Sequence, residues 1–166
     1  MITPDVYALR DRLQMPGMRV LQFGFGDAGA HIYLPHRYDP NTVVYTGTHD
    51  NDTTLGWWKS CSESERKFAG ALLGEAGDGV NWAMVRLAQS STANRCVVPL
   101  QDVLGLGSEG RMNVPSFSDG NWSWRYLPGA LTPELAQKLA ALAEITDREP
   151  SYQEQGHGEA GENFAA

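Results

Sequence analysis

Apolar residues along this chain follow two spacings, and each change of spacing marks the start or end of a predicted element. Helical spacing predicts helices that begin at Thr3, near Asp52 to Thr54, at Ser62, at Val80 and at Thr132. Thr-Pro-Asp, Ser-Glu-Ser-Glu and Thr-Pro-Glu are the helix-start signals at the first, third and fifth of these. The predicted apolar faces are Val6, Leu9 and Leu13 in the first helix and Leu135, Leu139, Leu142 and Ile145 in the last.

Three short apolar runs predict strands at Met18–Phe23, Thr42–Thr46 and Arg95–Leu100. Helices lie between these strands, and this alternation predicts an α/β fold of parallel strands with crossover helices. Each strand is followed by a segment with polar and aromatic residues. Functional loops at the C-terminal ends of parallel strands are typical of (β/α)8 barrels, although three strands cannot close one.

Charge and cysteine content narrow the classes of partner. The net charge of −7, with only 13 Lys and Arg, argues against nucleic acid as the main partner. No apolar run approaches the ~20 residues of a membrane span, and residues 1–12 lack the apolar core of a signal peptide. Cys61 and Cys96 form no disulfide framework, which favours the cytoplasm, and Cys96 is expected to be buried. Residues 150–166 are polar and glycine-rich, and a disordered tail is predicted there.

The second predicted strand runs directly into His49, Asp50, Asn51 and Asp52. Acidic and imidazole groups at the end of a buried strand are costly to desolvate, so they are usually retained for chemistry. A simpler explanation exists for one Asp, because Asp50 or Asp52 would cap the helix that follows. Capping does not explain His49 beside Asp50, and we predict a functional role for this pair.

Six segments, in order from about Ile2 to Ile145, resemble the C-terminal part of the 4-α-glucanotransferases of glycoside hydrolase family 77. These enzymes are also called amylomaltases or disproportionating enzymes. The segments are Met15–Phe23, Tyr33–His36, Val44–Thr53, Pro99–Gly107, Arg111–Pro115 and Gly120–Arg125. The run Thr46–Thr54 is the most specific of them.

The resemblance implies a (β/α)8 TIM barrel, with residues 1–149 as about its last three β/α units. It implies an enzyme that cuts α-1,4-glucans and transfers the glycosyl part to the 4-hydroxyl of glucose or a maltodextrin, without metal or other cofactor. This retaining mechanism needs a nucleophile and an acid/base carboxyl about 5–5.5 Å apart. Asp50 matches a third carboxylate, which binds sugar hydroxyls as the ring distorts, and His49 matches a histidine that bonds to the same sugar.

Further substrate contacts are expected from Asn51, Asn113 and Phe23. Asn51 lies in the matched run, and Asn113 follows the last strand in a loop that contributes to the family's cleft. Phe23, or its neighbour Gln22, ends the first predicted strand and is expected to line the site.

The sequence leaves three further questions, which concern the roles of Asp102 and Trp122 and the backbone at Ser116. Asp102 either contacts substrate or makes structural hydrogen bonds, and the latter is favoured. Trp122 is expected to wedge between helix and barrel rather than stack on sugar. Ser116 stands where the family usually has the Gly of Pro-Gly-Thr, and Ser lacks the backbone freedom of Gly.

The other two catalytic carboxylates are missing from the resemblance. The family's nucleophile lies far upstream of Met1, and its acid/base glutamate lies just before the segment that matches Ile2-Thr3-Pro4. The chain is therefore predicted to be nearly inactive alone and to need the N-terminal part of the barrel. Without it, the chain is expected to be marginally stable or to self-associate, because a barrel core and a sheet edge are left open.

Two other functions compete with this one. Asp50-Asn51-Asp52 is a D-x-D pattern, which nucleotide-sugar glycosyltransferases use to hold a metal and a diphosphate. No glycine-rich phosphate loop accompanies it. A non-catalytic carbohydrate-binding domain fits the five Trp residues, but such domains are usually β-sandwiches, which the helix-strand alternation disfavours.

Overall fold

The computed structural model describes residues 3–74, 77 and 79–149, and within them it is an α/β fold with a three-stranded sheet. The predicted tail at 150–166 lies outside the described residues. The strands are Gly17–Val20 (β1), Thr42–Tyr45 (β2) and Arg95–Val97 (β3). The helices are Pro4–Arg12 (α1), Thr54–Ser60 (α2), Glu63–Leu73 (α3), Val80–Gln89 (α4), Leu100–Leu104 (α5) and Pro133–Ile145 (α6).

The sheet is parallel in the order β1-β2-β3, as the alternation of elements predicted. In register, Met18 pairs with Val43, and Tyr45 pairs with both Val20 and Val97. Because parallel strands are aligned, their C-terminal ends meet at one edge of the sheet. The loops that follow β1, β2 and β3 therefore lie side by side at that edge.

One face of the sheet is covered by helices. Val44 of β2 is 0% exposed in a cluster with residues of the β1–β2 connection and of α3 and α4, including Phe25, Ala69 and Met84. Trp57 and Trp58 of α2 pack against this cluster. A second cluster joins α4, α5 and α6, and its buried residues are Trp82, Val85, Val103 and Leu142.

The described residues leave much of the other face of the sheet uncovered, although Val20, which pairs with Tyr45, is buried. Side chains alternate between the faces of a strand, so Met18, Val43, Tyr45 and Val97 point away from the helices. Met18 is 51% exposed and Val97 is 46% exposed. We call these four residues the open face. β1 and β3 each have only one neighbouring strand among the described residues, so both outer edges are also unpaired.

Several predicted boundaries differ from the structure. β1 ends at Val20 and continues as a 3₁₀ turn over Leu21–Phe25, so its predicted end at Phe23 is wrong. β3 ends at Val97 rather than at Leu100, because Pro99 caps the short helix α5, which was not predicted. A helix after Pro is the ordinary consequence of its fixed φ angle.

Two predicted apolar faces are not buried as expected. In α1, Val6, Leu9 and Leu13 are each about half exposed. In α6, Leu142 is buried but Ile145 is 75% exposed. The helical spacing is correct in both cases, but the described residues leave Val6, Leu9, Leu13 and Ile145 largely exposed.

Cys96 is half-buried on the helix-covered face, and burial raises the pKa of its thiol to about 11. The described residues contain no helix that is both long and apolar enough to cross a membrane.

Candidate active site

A cleft of about 460 Å³ lies at the C-terminal ends of the strands. Its walls come from the loop between β2 and α2, residues 47–53, and from residues 110–112 and Trp122, which follow α5. Tyr45 and Val97 of the open face form its floor. The predicted convergence of strand-end loops is therefore present in the structure.

His49 and Asp50 lie together in this cleft. Nε2 of His49 lies 3.3 Å from Oδ1 of Asp50, and each side chain is about half exposed, at 55% and 51%. Nδ2 of Asn113 donates a hydrogen bond to the same Oδ1 at 2.6 Å. The structure thus brings together three of the five predicted site residues, and it leaves the Asp50 carboxylate accessible from the cleft.

Arg111, which the sequence analysis missed, fixes the backbone around this cluster. Its guanidinium donates to the carbonyl oxygen of Asp50 at 2.7 Å and to that of Asn113 at 2.9 Å. The backbone N–H of Asn113 in turn donates to the carbonyl oxygen of His49 at 3.0 Å. The two loops that carry the site are therefore joined by backbone and guanidinium bonds. The planar fork of Arg suits such a two-point contact better than Lys would.

Asn51 and Asp52 support the loop. Oδ1 of Asn51 accepts from the backbone N–H and the hydroxyl of Thr48, at 2.9 and 2.8 Å. Asp52 accepts from the N–H of Thr53 and from the hydroxyl of Ser108. Both also border the cleft. No group of three or more potential metal-ligating side chains occurs in the described part of the chain.

The capping interpretation of Asp50 and Asp52 is wrong. Thr53 caps α2, and its hydroxyl oxygen accepts from the backbone N–H of Gly56. Asp50 therefore does not cap the helix, which favours a functional role for its carboxylate.

At the end of β1, Gln22 rather than Phe23 reaches the 47–53 loop. Nε2 of Gln22 donates to the carbonyl oxygen of Asp52 at 2.9 Å, and its side chain is buried. A Cβ at Gly47 would lie 2.8 Å from that nitrogen, so glycine lets the loop pass Gln22 without displacing its amide. Phe23 packs edge-on against Tyr33 and does not line the cleft, so the geometry gives its predicted substrate contact no support.

Trp122 was predicted to wedge between helix and barrel, but the structure places it at the cleft. Its ring is 53% exposed, borders the cleft and lies 5.0 Å from the ring of His49, at an interplanar angle of 40°. Its backbone N–H donates to the carbonyl oxygen of Met112 at 2.8 Å. An aromatic face is therefore presented beside the His49–Asp50 pair.

Asp102 makes structural bonds, the favoured one of its two predicted roles. Its side chain is 1% exposed, and its oxygens accept from Thr46 and Thr54. It lines the bottom of the cleft, but both of its carboxylate oxygens are engaged by the protein.

Comparison with known proteins decides the family. A sequence profile described as 4-alpha-glucanotransferase, glycoside hydrolase family 77, matches residues 1–132. The chain belongs to this family. It is 50% identical to the 4-alpha-glucanotransferase of Thermus thermophilus over 155 residues, which cover 89% of this chain and 31% of that protein. It is 47% identical to the Synechocystis 4-alpha-glucanotransferase, covering 89% of this chain and 30% of the relative.

A solved structure of the family has the same fold. The amylomaltase of Streptococcus agalactiae, solved in complex with acarbose, superposes with a TM-score of 0.85 and 29% identity. The match covers 89% of this chain and 30% of the amylomaltase. The chain thus spans about a third of the length of the family members it matches.

The described glutamates do not resemble a glucanotransferase acid/base, whose pKa must be raised. Hydrogen bonds from the backbone N–H groups of Glu109 and Gly107 lower the pKa of Glu109. Hydrogen bonds from Ser62 likewise lower the pKa of Glu65. None of the described glutamates lines the cleft.

Ser116 adopts the left-handed backbone conformation, with φ of 71°. The family usually has Gly here, and a residue with a Cβ is strained in this region. We expect Ser116→Gly to raise the free energy of unfolding by about 1 kcal/mol, because it removes that strain. Urea unfolding of the purified chain measures this. Ser118→Gly, two residues on and without a positive φ, is the matched control and is expected not to stabilise; equal effects would show that strain at Ser116 is not the cause.

Proposed function

We propose that this chain is part of a 4-α-glucanotransferase, which transfers α-1,4-glucan segments to the 4-hydroxyl of glucose or a maltodextrin by retaining double displacement. The observation that carries the proposal is the Asp50 carboxylate, which opens into the cleft beside His49 and is oriented by Asn113 in a chain of this family. An ionised carboxylate binds vicinal sugar hydroxyls through strong charge-assisted hydrogen bonds.

Each site residue has a role in this proposal. Asp50 grips the hydroxyls of the sugar at the cleavage point and stabilises the positive charge that develops on its ring. His49 bonds to the same sugar, and Asn113 orients the carboxylate. Asn51 keeps the loop in shape through Thr48 and borders the substrate.

We further propose that residues 1–149 supply three β/α units of a (β/α)8 barrel and that the open face is part of the barrel interior. The chain covers only 30% of the superposed amylomaltase. Among the described residues both edges of the sheet are unpaired, and Met18 and Val97 are exposed on the open face.

The nucleophile and the acid/base come from the remaining units in this proposal. Asp50, Asp52 and Asp102 are the described carboxylates at the cleft, and the last two are engaged by the protein. The ligands are α-1,4-glucans, in keeping with the acarbose complex of the Streptococcus agalactiae amylomaltase. The free cysteines Cys61 and Cys96 suit a reducing, cytoplasmic location.

Glucose release from maltotriose tests the proposal. We define the complemented protein as this chain mixed with the polypeptide that precedes the matching region in the Thermus thermophilus enzyme. The chain alone is expected to release no glucose. The complemented protein is expected to release glucose and to form longer maltodextrins, with or without EDTA. Release by the chain alone would overturn the assignment of the missing carboxylates, and loss of activity in EDTA would overturn the metal-free mechanism.

Arg111→Lys is expected to weaken acarbose binding to the complemented protein about tenfold, since one ammonium cannot bond both carbonyls that the guanidinium holds. Isothermal titration calorimetry measures the affinity. Arg66→Lys is the matched control, because Arg66 holds carbonyls of Trp58 and Lys59 away from the cleft. If Arg111→Lys left the affinity for acarbose unchanged, the 47–53 loop would keep its shape without the two hydrogen bonds from the guanidinium.

A further inference from the structure

We propose that Asp102 is a positioning residue, which sets the shape of the 47–53 loop and so the placement of His49 and Asp50. The proposal rests on the function above, in which that pair binds sugar. Asp102 belongs to α5, which follows the neighbouring strand β3, and its side chain is 1% exposed. It therefore acts on the sugar only through the loop.

Asp102 holds both ends of the loop at once. The hydroxyl of Thr46, the residue before the loop, donates to Oδ2 at 2.6 Å. Thr54, the residue after the loop, donates to Oδ1 from its backbone N–H at 2.7 Å and to Oδ2 from its hydroxyl at 2.8 Å. Thr46 and Thr54 are both 0% exposed. One buried side chain thus fixes the distance between the two points where the loop leaves and rejoins the fold.

The chemistry of the site favours a carboxylate. Three donors converge on two oxygens, and a carboxylate can only accept. The Nδ2 of an amide in its place would face either the backbone N–H of Thr54, which cannot accept, or the two hydroxyls, which would have to turn and give up the charge-assisted bonds that they donate. Asp102 is itself held, because Nδ2 of Asn81 in α4 donates to its carbonyl oxygen at 2.8 Å.

Placement of the loop decides the geometry of the site. His49 and Asp50 lie three and four residues after Thr46. The 2.6 Å bond from Asn113 and the 5.0 Å distance between the rings of His49 and Trp122 both depend on where the loop places these two side chains. Misplacement by about 1 Å is enough to cost ~100-fold in rate at such sites.

Asp102→Asn tests the proposal, with Val103→Ala as the matched control. Val103 is the next residue of α5, is 7% exposed, and packs in the second cluster against residues such as Trp82. Both changes weaken the fold, but only Asp102→Asn releases the loop. We expect amide hydrogen exchange at Asp50, Asn51 and Thr54 to be about tenfold faster in Asp102→Asn than in Val103→Ala, with exchange at Val44 alike in both.

Two further readouts distinguish positioning from general stability. The indole of Trp122 lies 5.0 Å from the His49 ring, so we expect it to shift the ring protons of His49 in the NMR spectrum and expect this shift to be lost only in Asp102→Asn. In the complemented protein, acarbose affinity is expected to fall about tenfold in Asp102→Asn, as when a hydrogen-bonding partner is lost, and to be unchanged in Val103→Ala.

Equal exchange profiles and an unmoved His49 resonance would overturn the proposal. If the complemented wild type does not bind acarbose, the proposed function fails, while exchange and the His49 resonance in the chain alone still decide the role of Asp102. If Asp102→Asn does not fold, Thr54→Val and Thr54→Ser replace it. Val removes the hydroxyl and is expected to loosen the loop, and Ser keeps it and is expected to restore wild-type exchange; no difference between them would count against the proposal.

Discussion

Asp50→Asn is expected to lower kcat for glucan transfer by the complemented protein by about 10³-fold. The amide has nearly the shape of the carboxylate but lacks its charge, so it can no longer stabilise the positive charge that develops on the sugar ring. It is also a weaker acceptor for sugar hydroxyls and for Nδ2 of Asn113. Because these interactions strengthen as the ring distorts, kcat is expected to fall more than KM rises. Initial rates of glucose release from maltotriose measure both.

Asp39→Asn is the matched control for this variant. Asp39 is exposed in the segment before β2, on the far side of the strand from the cleft, and the same charge is removed. Its rate is expected to be that of the wild type. A loss of less than about tenfold for Asp50→Asn would contradict a role in the transition state, since removing one well-placed stabilising group usually costs ~10²-fold or more.

The site was predictable from sequence where the signal is local. The unbroken apolar run of β2 followed by His49 and Asp50 predicted both a strand and the loop that carries the candidate site. The capping box at Ser62 and the helical spacing of Val80–Gln89 likewise predicted α3 and α4 almost to the residue. In each case the pattern and the structure it specifies lie within about ten residues.

Contacts between residues distant in sequence were not predicted. Arg111 donates to the carbonyl of Asp50, 61 residues earlier. The structural role of Asp102 was predicted, but its partner Thr54, 48 residues earlier, was not. A lone Arg or Asp near a loop carries no local signal of such contacts. Helix α5 was missed for another reason, because its five residues are too few to show a helical period.

The exposed apolar residues form a third group. Periodicity correctly placed Val6, Leu9 and Ile145 on the apolar faces of helices, yet all three are about half exposed or more. An amphipathic pattern indicates that one face of a helix packs against another surface, but it does not identify the residues that form that surface. The open face of the sheet is likewise an apolar surface that the described residues do not cover. We expect a charge placed on it to have a large effect on association.

Val97→Asp is expected to weaken binding of the complementing polypeptide about 100-fold. Val97 is 46% exposed on the open face, beside Tyr45 in register, and both lie at the floor of the cleft. If the remaining units complete a barrel, this position becomes part of a packed interior. An unpaired carboxylate buried there costs several kcal/mol, which corresponds to at least two orders of magnitude in affinity. Analytical ultracentrifugation of the mixture measures the dissociation constant.

Leu127→Asp is the control for the added charge. Leu127 is 74% exposed in the loop before α6, outside the sheet and the cleft, so its variant is expected to bind the complementing polypeptide as the wild type does. The isolated wild-type chain is expected to self-associate through the same open face, and Val97→Asp to reduce this association. Equal affinities for Val97→Asp and Leu127→Asp would mean that the partner does not cover the open face. The proposed barrel would then be wrong, and the floor of the cleft would remain exposed to water. In water the electrostatic stabilisation that Asp50 provides would be much weaker.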